Sequence, residues 1–160
     1  MNLEILKILE KDARVEPAQI AIMTGLPVEQ VKEEIAQAER ERIILRYKTF
    51  INWEKTGTEQ VWALIEVRVV PQRGKGFDAI AERIYRFPEA RSVYLVSGTY
   101  DLAVQVVGRT MMDIASFVSG KLASLDGVQG TTTHFLMKKY KEDGEIMEAI
   151  VEGSRLAVSP

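Results

Sequence analysis

The sequence predicts an α+β protein in two parts, an N-terminal helix-turn-helix unit followed by a ferredoxin-like βαββαβ domain. Three observations predict it. Apolar residues recur at three- and four-residue spacings in three short blocks before residue 41, the period of helices with one buried face. Beyond Arg42 the period drops to two, as in half-buried strands. Between Ser92-Val93-Tyr94-Leu95-Val96 and Leu102-Ala103-Val104-Gln105-Val106-Val107 lies the turn Ser97-Gly98-Thr99-Tyr100-Asp101, with a helical and a strand-like block on either side of that hairpin.

Leu3, Ile5, Leu6, Ile8 and Leu9 alternate with Glu4, Lys7 and Glu10 to make the first helix, which Asp12-Ala13-Arg14 ends. Glu16-Pro17 opens a short second helix, since proline at a first helical position forfeits an N–H that would have no partner anyway. Ile20, Ala21 and Met23 form its apolar side. After the turn Thr24-Gly25-Leu26-Pro27, a third helix runs from Val28 to about Arg40 with Val28, Val31, Ile35 and Ala38 on one stripe. A glycine-containing turn between the last two helices gives a helix-turn-helix outline. Leu45, Tyr47, Thr49 and Ile51 then alternate with Arg46 and Lys48 as a strand with a basic side, the expected wing, so that residues 1–52 form the first domain.

Asn52 to Thr58 is a polar, glycine-containing break, and residues 53–60 read as a linker. The second domain spans 61–141. It starts with the strand Val61 to Val69, stopped by Pro71, and the loop Gln72-Arg73-Gly74-Lys75-Gly76. Phe77, Ile80, Ala81 and Ile84 mark a helix that ends before Phe87-Pro88. In the central turn Gly98 is expected to supply a positive φ, and Asp101 to bond nearby backbone donors. Thr110 and Asp113 resemble a capping box for a helix carrying Ile114, Phe117, Val118, Leu122 and Leu125. Asp126-Gly127 ends it, and the last strand is expected from Val128 to about Tyr140. Residues 142–160 form a tail with Ile146, Met147, Ile150 and Val151 at helical spacing.

A βαββαβ repeat makes a four-stranded antiparallel sheet with both helices on one face. Trp62 and Leu64 oppose Ala63 and Ile65 on one strand, so the uncovered face is also expected to be apolar and to be buried in a homodimer.

Composition narrows the function classes. The 160 residues are 46% hydrophobic with a formal charge of -2, so any nucleic-acid binding must come from local patches. With no cysteine there is neither a disulfide framework nor a thiolate site, and no stretch approaches a membrane span; a cytoplasmic protein is expected. His134 is the single histidine, set among β-branched strand residues, which leaves no histidine partner for a metal centre and reads as strand filler. Arg73-Gly74-Lys75-Gly76 lacks the spaced Gly-Lys-Ser/Thr signature of a phosphate loop. Glu142-Asp143 lies in a solvated turn and not in an apolar pocket. Neither a catalytic constellation nor a cofactor or metal is expected.

Leu6-x-x-Leu9-x-x-Asp12-Ala13-Arg14, the turn Gly98-Thr99-Tyr100-Asp101-Leu102, and Gly127-Val128 followed by Thr131 and Thr133 resemble the Lrp/AsnC family of feast/famine transcription regulators, over about residues 2–141. The resemblance implies duplex DNA binding by the first domain. It also implies dimers that assemble further, to a tetramer or octamer, around a small-molecule site that commonly takes an amino acid. Candidate groove contacts are Gln30, Lys32 and Gln37, with Arg14, Arg40, Arg42, Arg46 and Lys48 as candidate phosphate contacts. The sequence departs from the family where a basic pair usually stands, here Glu33-Glu34, and residues 1–56 hold nine Lys/Arg against ten Asp/Glu. Arg42 occupies the position of a usual helix-ending glycine, costing about 1 kcal/mol if the backbone stays left-handed there.

The candidate effector site is Gly98, Thr99, Tyr100, Asp101, Thr131 and Thr133: a carboxylate for an α-ammonium, and hydroxyl and N–H donors for a carboxylate. Asp101 serves equally as a turn residue, and the threonines as plain strand formers. Two alternatives stand beside the regulator: an amino-acid-sensing assembly module that has lost DNA binding, and a regulator-shaped siroheme decarboxylase, whose chemistry relies on histidine.

Overall fold

The computed structural model describes residues 2–71 and 76–147. The expected loop at 72–75 and the tail from 148 onward lie outside these described residues. The chain divides into two compact units, Met1–Ile51 and Asn52–Pro160.

In the first unit, α1 (Leu3–Lys11) is N-capped by the Asn2 side chain, which accepts from the Glu4 N–H. Helix α2 (Pro17–Thr24) begins on its proline and ends at Gly25, whose φ of 69° is the left-handed cap glycine adopts freely. Helix α3 (Val28–Arg40) follows. Ile5, Leu9, Ile20, Ala21 and Val31 are buried together, with Ile8, Val15, Leu26, Val28, Ile35 and Ile44 packed around them.

The strand expected from Leu45 to Ile51 is absent. A strand needs a neighbour to complete its ladder, and the described residues of this unit contain no strand at all. The unit is therefore a helix-turn-helix without the expected wing. The chain leaves α3 through Arg42 at φ 57°, with the N–H groups of Ile43 and Ile44 both donating to the Ala38 carbonyl, at 2.8 and 3.1 Å. The Tyr47 hydroxyl then donates to Glu39 on α3 at 2.8 Å. Partial burial, reinforced by that carboxylate, pushes the Tyr47 phenol up to about 12.

The second unit is a four-stranded antiparallel sheet in the order β2-β3-β1-β4, made of β1 (Val61–Val69), β2 (Ala90–Leu95), β3 (Leu102–Gly108) and β4 (Val128–Phe135). Helices α4 (Asp78–Tyr85) and α5 (Met111–Phe117) both cover the face that carries Ala63, Ile65, Val67 and Val69 of β1 and Leu102, Val104 and Val106 of β3. Ile80 and Ile84 come from α4, and Ile114 and Phe117 from α5. Each buried Val, Leu, Ile or Phe side chain of this core contributes about 1.5–3 kcal/mol. The capping box of α5 is formed in both directions: Asp113 N–H donates to Thr110 Oγ1 at 3.1 Å, and Thr110 N–H donates to Asp113 Oδ2 at 2.9 Å.

Four sequence expectations change here. The α5 helix does not run on to Leu125 as an α-helix; Val118–Leu122 form a wider π turn in which the Ala123 N–H reaches the Val118 carbonyl at 2.8 Å. Phe117 and Leu122 are both buried, yet five residues of α-helix would set them about 140° apart, and the wider winding narrows that angle. Strand β4 ends at Phe135 instead of Tyr140, after one further bond from Leu136 N–H to the Trp62 carbonyl. The helical spacing at Ile146 and Met147 gives no helix among the described residues; β5 (Lys141–Glu142) and β6 (Glu145–Ile146) form a hairpin about Asp143-Gly144, both at positive φ as that tight turn requires.

The last change concerns the open sheet face. On β1 it carries Trp62, Leu64, Glu66 and Arg68, so along that strand it is apolar at one end only. Its other end is ionic: Glu66 faces His134 Nε2 of β4 at 3.1 Å, and the Arg68 guanidinium lies over Gly130. The Lys139 ammonium covers Trp62, 3.7 Å from the ring centroid, and bonds Glu142 at 2.8 Å. Met147 is buried beside this hairpin and its carbonyl accepts from Asn52 Nδ2 at 3.0 Å.

Candidate nucleic-acid helix and effector loop

Helix α3 buries Val31 and Ala38 and turns its polar residues to solvent. Each candidate contact on it is already engaged by a glutamate. Lys32 Nζ bonds Glu29 at 2.9 Å, and Gln30 Nε2 donates to Glu34 at 3.2 Å. Gln37 Nε2 donates to Glu41 at 2.7 Å, and Arg40 bonds Glu33 at 2.7 Å. The structure thus brings Gln30, Lys32, Gln37 and Arg40 onto one helix surface, with Arg42, Arg46 and Lys48 exposed on the segment that follows. Arg14 lies on the α1–α2 connection and bonds Asp12, whose carboxylate that hydrogen bond holds below its ordinary value.

Glu33 and Glu34, adjacent in sequence, have different surroundings. Glu34 Oε2 accepts from the Asn2 N–H at 2.5 Å, at the N-terminus of α1, where backbone donors have no partner within the helix and the helix dipole favours a negative charge. That backbone bond, with the Gln30 amide second, holds the Glu34 carboxyl below the usual glutamate range. Glu34 therefore ties α1 to α3. In the sequence the two glutamates stand alike in place of the usual basic pair, because a tie between residues 2 and 34 leaves no periodic trace.

The loop between β2 and β3 is closed by Val96 N–H donating to the Asp101 carbonyl at 2.9 Å. Gly98 is not in the left-handed region, and a Cβ there would meet nothing within 4 Å, so the expectation of a positive φ fails. Six residues span the gap, and no single one has to make the sharp reversal of a two-residue turn. Asp101 is bound to β1 twice: its N–H donates to the Val67 carbonyl at 3.1 Å, and its Oδ2 accepts from the Val69 N–H at 2.8 Å. Ser97, Gly98 and Thr99 are exposed, whereas Tyr100 and Asp101 are half-buried.

Thr131 and Thr133 pair with Val67 and Ile65 on the helix-covered side of β4 and are half-buried. Leu102 also pairs with Val67, so Thr131 stands at the same end of the sheet as the loop, two strand spacings away, about 10 Å. Thr133 is one pleat further from it. Gly127, at φ 93°, starts β4 in a conformation that suits glycine; an added Cβ would fall 2.7 Å from Ile80. Among the described residues no group of three or more His, Asp or Glu side chains is arranged to hold a metal ion. No helix among them is long and apolar enough to cross a membrane.

Comparison with known proteins agrees with this architecture. Residues 62–146 match the Lrp/AsnC ligand binding domain. Over 158 residues, 98% of this chain and 95% of the relative, the sequence is 51% identical to the uncharacterized HTH-type transcriptional regulator YugG of Bacillus subtilis. It is 30% identical to the HTH-type regulator LrpA of Pyrococcus horikoshii over 86% of this chain and 94% of that one. Among solved structures, AsnC of E. coli superposes with a TM-score of 0.68 at 19% identity, covering 87% of this chain and 91% of that one. A transcriptional regulator of Neisseria meningitidis in complex with L-Met gives 0.70 at 23% identity, covering 88% and 90%. These two likenesses show the fold. The sequence relatives are transcriptional regulators and not enzymes, which removes the decarboxylase alternative. A three-helix unit followed by this sheet, with the family's ligand-binding domain recognisable over most of the second unit, makes the chain a member of the Lrp/AsnC family of HTH-type transcriptional regulators.

Proposed function

We propose that this chain is a cytoplasmic regulator that binds duplex DNA through α3 and senses an amino acid at an oligomer interface. The supporting observation is the pairing of a three-helix unit, its third helix polar and exposed, with a separate ligand-binding domain. In this reading Gln30, Lys32 and Gln37 exchange their glutamate partners for DNA, Arg40 meets DNA from the outer side of α3, and Arg42, Arg46 and Lys48 meet phosphates. The effector's ammonium bonds Asp101 through Oδ1, the oxygen not used by Val69. Its other groups meet Gly98, Thr99 and Tyr100, with Thr131 and Thr133 lining the same sheet end. The relative crystallised with L-Met makes methionine the first effector to try.

The open sheet face, Trp62 to Arg68, is where two copies pair, and the 96–101 loops join dimers into a closed ring. Sedimentation should then give more than a dimer; a monomer at micromolar concentration overturns this part. The residues 45–51, which have no partner strand in their own unit, gain one in such a dimer.

A second reading, an amino-acid sensor without DNA contact, is favoured by one observation: α3 carries four carboxylates against two cations, and each candidate donor on it is engaged. An electrophoretic shift at low salt on the chain's own upstream DNA separates the two. Thermal melting with each amino acid identifies the effector, because a ligand of the folded state raises Tm by mass action. Asp101→Asn should then bind that effector about 1.5–3 kcal/mol more weakly by calorimetry while staying folded, since the amide oxygen can still accept from Val69.

A further inference from the structure

We propose that Glu33 and Arg40 act as one base-reading unit of α3, selecting a C·G pair in the major groove; this rests on the DNA-binding reading above. At 100° per residue the two lie about 20° apart on the helix and about 160° from the buried line of Val31 and Ala38, so they mark the outermost ridge of α3. Their side chains are 70% and 62% exposed, yet joined at 2.7 Å across two turns.

Glu29 stands on the same ridge, and the other acids of α3 differ from Glu33 in their partners. Glu29 bonds Lys32 one turn away, Glu34 is tied to Asn2, and Glu39 accepts from Tyr47. Only Glu33 is coupled to a cation along the outward ridge. A lone carboxylate is repelled by the phosphates, but one held by a guanidinium enters the groove with its charge compensated. The joined pair then offers two complementary functions side by side. The carboxylate oxygen accepts from a cytosine N4 amino group, and the remaining guanidinium N–H groups donate to guanine O6 and N7. Those are the two bases of one pair. In this reading Glu33, a charge that alone opposes phosphate binding, is a source of sequence preference.

The test is binding-site selection from a random duplex library with the full chain, with and without a mixture of the common L-amino acids. It is run in parallel on Glu33→Gln and Arg40→Ala, whose folding is checked by circular dichroism. The expected result is a parental site in which one C·G position loses its preference about tenfold in Arg40→Ala and shifts toward A·T in Glu33→Gln, because glutamine matches adenine N6 and N7. A parental site kept unchanged by both variants overturns the proposal. So does a uniform gain of affinity for every sequence in Glu33→Gln, which marks Glu33 as a simple repeller of phosphate. A parent that enriches no sequence under either condition overturns the DNA-binding reading itself, and the proposal with it.

Discussion

On α3 the candidate DNA contacts are held by other side chains, at 2.7 to 3.2 Å and in solvent, whereas the Asp101 carboxylate is held by a backbone N–H of β1 at 2.8 Å. Exposed pairs between long side chains are worth about 0–1 kcal/mol and weaken with salt, so α3 can give them up to a nucleic acid at small cost. A carboxylate bound to a strand end has a place in the fold as well as in any site. One region is organised to exchange partners and the other to keep them.

The comparison breaks most visibly at the loop. Asp101→Ala should destabilise the second unit by about 1.5–3 kcal/mol in denaturant unfolding without ligand, since it orphans the Val69 N–H. A change below about 0.5 kcal/mol would make the bond to Val69 dispensable. Next in size is Arg42→Gly, which should raise the stability of the first unit by about 1 kcal/mol by relieving a left-handed arginine; a loss of stability would mean that the Arg42 side chain contributes more than its backbone costs.

A smaller effect separates the two glutamates by pH. The folded Glu34 carboxyl titrates below its unfolded value, so its contribution is present above the unfolded pKa and is lost as pH falls through the folded one. Below about pH 5 the parent should lose stability more steeply than Glu34→Gln. Matching acid limbs would remove Glu34 from the account of how α1 is held. The smallest change is expected for Glu33→Gln, within about 0.5 kcal/mol at neutral pH, because its pair with Arg40 is an exposed one. A larger loss would make that pair a structural tie of α3.

What could be read in the sequence follows the range of the forces involved. Helices α1 to α3, the alternation of β1 and the Thr110–Asp113 box are local patterns, and each was legible. The Leu45 to Ile51 alternation was legible too, but a strand is a property of two segments, and one unit holds only one of them. The positive φ expected of Gly98 failed because loop length is set by where β2 and β3 pair, a tertiary fact. Among the site residues, Gln30, Lys32, Gln37 and Arg40 fall on the exposed side of α3 as their spacing implied. Their glutamate partners were also visible at three-, four- and seven-residue offsets. The bonds from Asp101 to Val67 and Val69, and from Glu34 to Asn2, each join residues more than thirty positions apart and left no pattern to find.

The ammonium of Lys139 over Trp62 has an optical consequence. The chain has two tryptophans, Trp53 and Trp62, so Trp53→Phe leaves a single emitter on the open sheet face. A charge 3.7 Å from the ring shifts indole emission, and Lys139→Met removes that charge while keeping a chain of similar bulk. Fluorescence of the parent and of these variants then turns the sheet face into its own gauge. Under the pairing of two copies proposed above, dilution would register their separation at Trp62, with no label attached to the molecule.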